Sequence, residues 1–104
     1  MTKTWICLIR PAFDRAFLAA ADNRVRAIVD AHGDYLTGLR NAGKLVLAGR
    51  CWDGPFGALI FEAADRAAAE VIVSNDPSIV AGVQTAELYE FNMPYPPVPG
   101  GEQV

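Results

Sequence analysis

Apolar side chains fill "TWICLIR" (residues 4–10) with no polar alternation, and Pro11 then removes a backbone donor, so the stretch predicts a strand buried on both faces. Residues 12–23, "AFDRAFLAAADN", set Phe13, Phe17 and Leu18 at helical offsets and predict a short helix or ordered loop. From Asn23 to Asn41 the pattern is helical. Val25, Ile28, Val29, Tyr35, Leu36 and Leu39 recur every three or four residues as one stripe, with Asp22 as N-cap and Gly43 as stop. "KLVLAGR" (44–50) predicts a second strand and "ALIFEA" (58–63) a third, joined as a hairpin by the Gly- and Pro-containing "CWDGPFG" (51–57). A second helix follows over residues 64–76, capped by Asp65 and ended or kinked by Pro77. "VQTAELYEF" (83–91) makes the last strand, with Leu88 on one face and Tyr89 and Phe91 on the other.

The order strand, helix, strand, strand, helix, strand is that of an α+β, ferredoxin-like split β-α-β fold: a four-stranded antiparallel sheet with two main helices on one face. Two helices cover only one face, yet strands one to three are apolar on both. The other face is therefore expected to dimerise with an identical subunit. Residues 1–93 form the expected domain; the tail 94–104, rich in Pro and Gly, is expected to be extended and coreless.

Composition narrows the function classes. An apolar fraction of 52% with 20% charged residues belongs to a folded chain, and 104 residues suit one domain. The net charge of −3, with no basic cluster, argues against a nucleic-acid partner. The uncharged run from Pro77 to Ala86 is about half of a spanning helix, so no membrane segment is expected. "TWICLI" is too short for a secretory apolar region, and a cytoplasmic protein is expected. Cys7 and Cys51 lack the spacing of zinc or redox motifs, so reduced thiols and no metal site are expected.

His32, the single histidine, sits four residues after Ile28 and four before Leu36, so helical geometry turns it toward the sheet. One use of such a histidine is a hydrogen-bonded core residue; the other is a general acid or base in a pocket under the helix. Asp30 and Asp34 stand two residues away and point elsewhere, and turn chemistry explains Asp53. Asp76 ends the second helix before Pro77, where an acid opposes the helix dipole; it suits a loop role and a catalytic one equally. Arg10 and Arg50, at strand ends, are open both as ordinary surface arginines and as ligands for a substrate carboxylate or phenolate. Tyr35 and Trp52 fit core packing or an aromatic substrate pocket; Cys51 would need an electropositive setting to act as a nucleophile, which sequence does not establish, and an inert thiol is expected.

"AHGDYLTGLRNAGKLVLAGR" and "GALIFEAADRAAAEVIVSNDPSIVAGV" together resemble the YCII-related family, in its His-x-x-Tyr-Leu helix, its Gly-Lys-Leu-Val-Leu-Ala-Gly run and its Asp-Pro element. The resemblance spans about residues 4 to 91. It implies a ferredoxin-like fold within the dimeric α+β barrel superfamily, dimerisation through the sheets, no metal or organic cofactor, and a site built on His32 and Asp76. The chain departs from the family in a longer segment before the histidine helix and in Arg50, where the family commonly has proline. The resulting expectation is a small cofactor-independent enzyme of lyase or isomerase type acting on a small organic acid or ring compound. His32 and Asp76 would handle the proton, and Arg10, Tyr35, Arg50 and Trp52 are candidates for holding substrate. A non-catalytic ligand-binding or interaction module of the same fold is the competing expectation.

Overall fold

The computed structural model describes residues 2–12, 23–54 and 56–97. Four strands, β1 (Lys3–Pro11), β2 (Leu45–Arg50), β3 (Gly57–Ala63) and β4 (Gln84–Glu90), form one antiparallel sheet in the order β2-β3-β1-β4. Helix α1 (Asn23–Asn41) connects β1 to β2, helix α2 (Arg66–Ser74) follows β3, and a single turn, α3 (Pro77–Val80), leads toward β4. This is the ferredoxin-like α+β arrangement that the order of elements predicts. The expected helix or loop at 12–23, the expected Asp22 cap of α1 and the end of the tail lie largely outside the described residues.

Register assigns the two faces of the sheet. Trp5 pairs with Phe61, and Cys7 with Leu59 on one side and Leu88 on the other; directly opposed residues share a face. With Ile9 and Ala63 these residues make the core beneath the helices, where Trp5, Cys7 and Phe61 are almost fully buried. Burying Trp5 or Phe61 contributes roughly 1.5–3 kcal/mol each by apolar transfer. The indole of Trp5 donates to the carbonyl of Ala63 (3.1 Å), and the Arg66 guanidinium lies over its ring at 5.2 Å. Arg10 pairs with Glu87 (3.2 Å), which also accepts from the Tyr89 hydroxyl (2.8 Å).

Helix ends follow local chemistry. Asp65 caps α2 by accepting from the Ala68 amide (2.8 Å). Gly43, at φ +75°, closes α1: its amide donates to Arg40 O and that of Lys44 to Leu39 O, both at 3.0 Å, the paired bonds of a Schellman stop. Gly57 is required at the hairpin end, where a Cβ would come within 2.8 Å of the Gly49 carbonyl.

Two expectations change. The second helix does not run to Asp76: it ends at Ser74 with Asn75 as C-cap, and Asp76 starts the next turn. Its carboxylate therefore faces amide donors at a helix start, not the negative end of α2. The apolar stripe of α1 also packs less than its periodicity implies. None of its residues is buried, Val29 is 49% exposed, and of the stripe's aliphatic residues Leu36 packs on the core. The helix stands off the sheet, and a cleft occupies the gap.

Candidate active site

The sequence Asp76-Pro77-Ser78 builds one wall of the site. Pro77 fills the first helical position, where a missing N–H costs nothing, and Asp76 takes the N-cap with extended backbone (φ −63°, ψ 124°). Its side chain accepts from the Ser78 amide and, through Oδ1, lies 2.9 Å from the Ser78 hydroxyl. The carboxylate and Ser78 are 2% and 1% exposed, so α3 buries a charged group whose lone pairs must all find donors.

His32 supplies another donor across 44 residues of sequence. Its Nδ1 lies 2.7 Å from Asp76 Oδ2 and 2.9 Å from Oδ1, with the imidazole side chain 19% exposed. Burial alone would raise the Asp76 carboxyl. The hydrogen bonds from His32 and from the Ser78 amide and hydroxyl, with the charge of His32, outweigh burial and hold it below the ordinary aspartate value. An ionised carboxylate only accepts, so Nδ1 carries the proton of this bond. Nε2 has no protein partner among the described residues and is the nitrogen left to meet a ligand.

Ser78 also lies 2.7 Å from Gln84 Oε1. A hydroxyl has one proton, and the carboxylate is the better acceptor for it. The Gln84 amide is therefore read with its NH2 toward Ser78, exchanging Oε1 and Nε2. Asp76 thus receives the His32 imidazole, the Ser78 amide and the Ser78 hydroxyl, with Gln84 behind the hydroxyl.

His32 and Gln84 line the cleft of about 1350 Å³ between α1 and the ends of β1, β2 and β3. Its walls are mostly apolar, with Ile9, Val29, Leu36, Leu59 and Phe56 among them. Of the residues that the sequence singles out, His32, Arg10, Arg50, Cys51 and Trp52 border this cleft, and so does Asp30, which the helical offset was expected to turn elsewhere. Arg50 lies over the exposed Trp52 indole at 5.3 Å. Arg10 is engaged elsewhere, stacked on Phe56 at 4.7 Å and paired with Glu87.

Tyr35 is not on the cleft wall. Its hydroxyl donates to the Ile72 carbonyl (2.7 Å) and ties α1 to α2; burial, with the nearby Asp76 charge, raises its pKa. Cys7 is held inert by the same two causes, burial first, with its thiol pushed up to about 11. Among the described residues no three His, Cys, Asp or Glu side chains are grouped to hold a metal ion, and no helix is long and apolar enough to cross a membrane.

Sequence reasoning alone did not mark Ser78 or Gln84. The Asp-Pro dipeptide carried a usable signal for Ser78, because an N-cap followed by proline directs the next amides at the cap.

The family model for the YCII-related domain matches residues 4–92. The chain belongs to the YCII-related family. Both walls of the cleft and the His32–Asp76 pair fall inside the YCII-related segment. No curated protein matches the chain. Among solved structures, the chain is similar to 5-chloro-2-hydroxyhydroquinone dehydrochlorinase (TftG) from Burkholderia phenoliruptrix, in complex with 2,5-dihydroxybenzoquinone. The TM-score is 0.60 at 20% identity, covering 85% of this chain and 93% of that one. At that identity the likeness supports the fold of this YCII-related chain.

Proposed function

We propose that this protein is a small enzyme of lyase or isomerase type in which His32 moves a proton and Asp76 orients it. The substrate is a small organic acid or ring compound, and the residues perform the transfer without an organic cofactor. The observation that carries the reading is the 2.7 Å contact of His32 Nδ1 with a buried carboxylate, which leaves Nε2 as the free corner of a ring lining an apolar cleft. Such a pair fixes ring orientation and tautomer, and it stabilises the imidazolium formed when Nε2 takes a proton. A negative charge then develops on the substrate, for which Arg50 is a cation on the cleft wall with no carboxylate partner among the described residues. The structural neighbour, a dehydrochlorinase bound to a dihydroxybenzoquinone, adds support for a ring compound and a lyase-type reaction.

His32→Asn tests this reading against a ligand-binding module in which the same pair merely fills a polar gap. On a substrate found by screening small acids and phenols, the enzyme reading expects turnover to vanish with little change in melting temperature. A large fall in melting temperature with unchanged turnover would favour the module.

We further propose that the face of the sheet without helices pairs with a second copy. Leu47 and Tyr89 remain about half exposed there, beside Ile6 and Leu8. Light scattering is expected to report twice the 11.2 kDa chain mass, and a single-chain mass would refute the pairing.

A further inference from the structure

Among the described residues, the charged and titratable groups on the cleft wall are Arg10, Arg26, Asp30, His32, Arg50 and the Cys51 thiol. Arg10 is neutralised by Glu87, and His32 is directed at Asp76. Asp30 is exposed and lies one helical turn from Arg26, yet no ion pair joins them among the described residues. Arg26 and Arg50 likewise have no carboxylate partner among the described residues. A mostly apolar cleft with two guanidinium groups that have no carboxylate partner among the described residues attracts an anion.

The setting of Arg50 specifies which anion. It is the last residue of β2, opposite Gly57, whose lack of a Cβ lets the two strands come close together at the hairpin end. Its guanidinium lies over the Trp52 ring at 5.3 Å, and a guanidinium stacked on a ring keeps its in-plane N–H groups free as a fork. Two parallel N–H donors match two oxygens of one carboxylate, whereas a single phenolate oxygen uses only part of the fork. The rest of the cleft offers aliphatic and aromatic surface suited to a flat ring.

We propose that the cleft binds a small planar ring bearing a carboxylate, with Arg50, backed by Trp52, gripping the carboxylate at two points and Arg26 adding positive charge from the helix wall. The ring lies along the apolar wall toward His32. This substrate class rests on the proton-transfer reading of His32 for its catalytic meaning, whereas carboxylate capture depends on Arg50, with Arg26 in support, and not on His32.

Calorimetric titration of the full chain with benzoate and with the isosteric neutral benzamide tests the proposal. Benzoate is expected to bind at least about tenfold more tightly than benzamide, a difference of about 1.4 kcal/mol. Arg50→Gln should weaken benzoate by a similar factor and leave benzamide unchanged, and Arg50→Lys, which keeps charge but loses the fork, should fall between. Equal affinity for the two probes, no benzoate binding at millimolar concentration, or an Arg50→Gln variant that binds benzoate like the parent would overturn the proposal. So would Arg50→Lys matching the parent, because the grip would then need only a point charge. His32→Asn separates the two readings. It should retain benzoate affinity within a few-fold. If it instead abolishes binding while Arg50→Gln does not, the carboxylate sits at the dyad and the Arg50 assignment fails, leaving proton transfer standing. If Arg50 behaves as expected but His32→Asn keeps full turnover, the dyad reading fails and the carboxylate site stands.

Discussion

Helices α1 and α2 lie over the same face of one sheet and do opposite things there. α2 is nine residues long, and after Arg66 its first turn is three consecutive alanines, Ala67, Ala68 and Ala69. It settles closely enough that Ala69 is fully buried against Trp5, Phe61 and Ala63. α1 is nineteen residues long and buries none of them. Small residues let a backbone approach; the larger side chains of α1 hold it away, and the space beneath becomes a cleft lined by Val29, His32 and Leu36. One helix seals the core and the other roofs a pocket. The polar pair is found at the loose end because only there can an imidazole be screened from bulk water while one nitrogen stays reachable.

The largest test of that division is His32→Asn. If the loose end is catalytic, turnover should fall by roughly 10²–10⁴-fold, the usual share of a positioned acid or base, with the melting temperature nearly unchanged. An equal replacement in the sealed region, Phe61→Ala, should instead cost about 3–5 kcal/mol of stability, read by urea denaturation. Should His32→Asn prove as destabilising as Phe61→Ala, the loose end would be core after all.

Next in size is Asp76→Asn, for which a loss of about 1–3 kcal/mol is expected, because an amide places N–H groups against the donors of His32 and Ser78. The pH dependence has a definite sign. The carboxyl of Asp76 is held below its ordinary value in the fold, so its stabilising contribution is complete above the unfolded pKa of about 3.9 and is lost as pH falls through the lower folded pKa. The gap in stability between parent and Asp76→Asn should therefore be widest near neutrality and close in acid. A gap that stayed constant into acid would mean that Asp76 is not the ionised partner of His32.

Much of this was legible in the chain, and what was not has physical reasons. Continuous apolar runs exposed β1 and β3, and Asp65 and Gly43 announced their caps, because strands, caps and stops are local chemistry. Periodicity also turned His32 toward the sheet. The partner of His32 was not local: 44 residues separate it from Asp76, and the residues between them carry no sign of the meeting, so only the family resemblance supplied it. How far α1 stands from the sheet was equally hidden. An apolar stripe says which face turns inward and not what distance it keeps, so Tyr35 stayed open between core packing and an aromatic pocket, where the structure fastens its hydroxyl to the Ile72 carbonyl.

A smaller effect separates the helices by volume. Ala69→Leu forces extra carbons into a filled layer and should cost about 1–3 kcal/mol, or several degrees of melting temperature for a domain of this size.

Smallest of all is the matching change in the other helix. Val29 lines the cleft and is 49% exposed, so Val29→Leu adds a methylene to open space and should alter stability by less than about 0.5 kcal/mol. Its effect belongs to ligand binding, because the added carbon narrows the cleft beside His32. A ring-shaped ligand such as benzoate should lose affinity in Val29→Leu and be unaffected by Ala69→Leu once the latter's stability loss is allowed for. Denaturation curves and titrations on both variants give the four numbers needed. If Val29→Leu destabilises the fold as much as Ala69→Leu does, α1 rests on a packed layer in solution, and the space between it and the sheet is not available to a substrate.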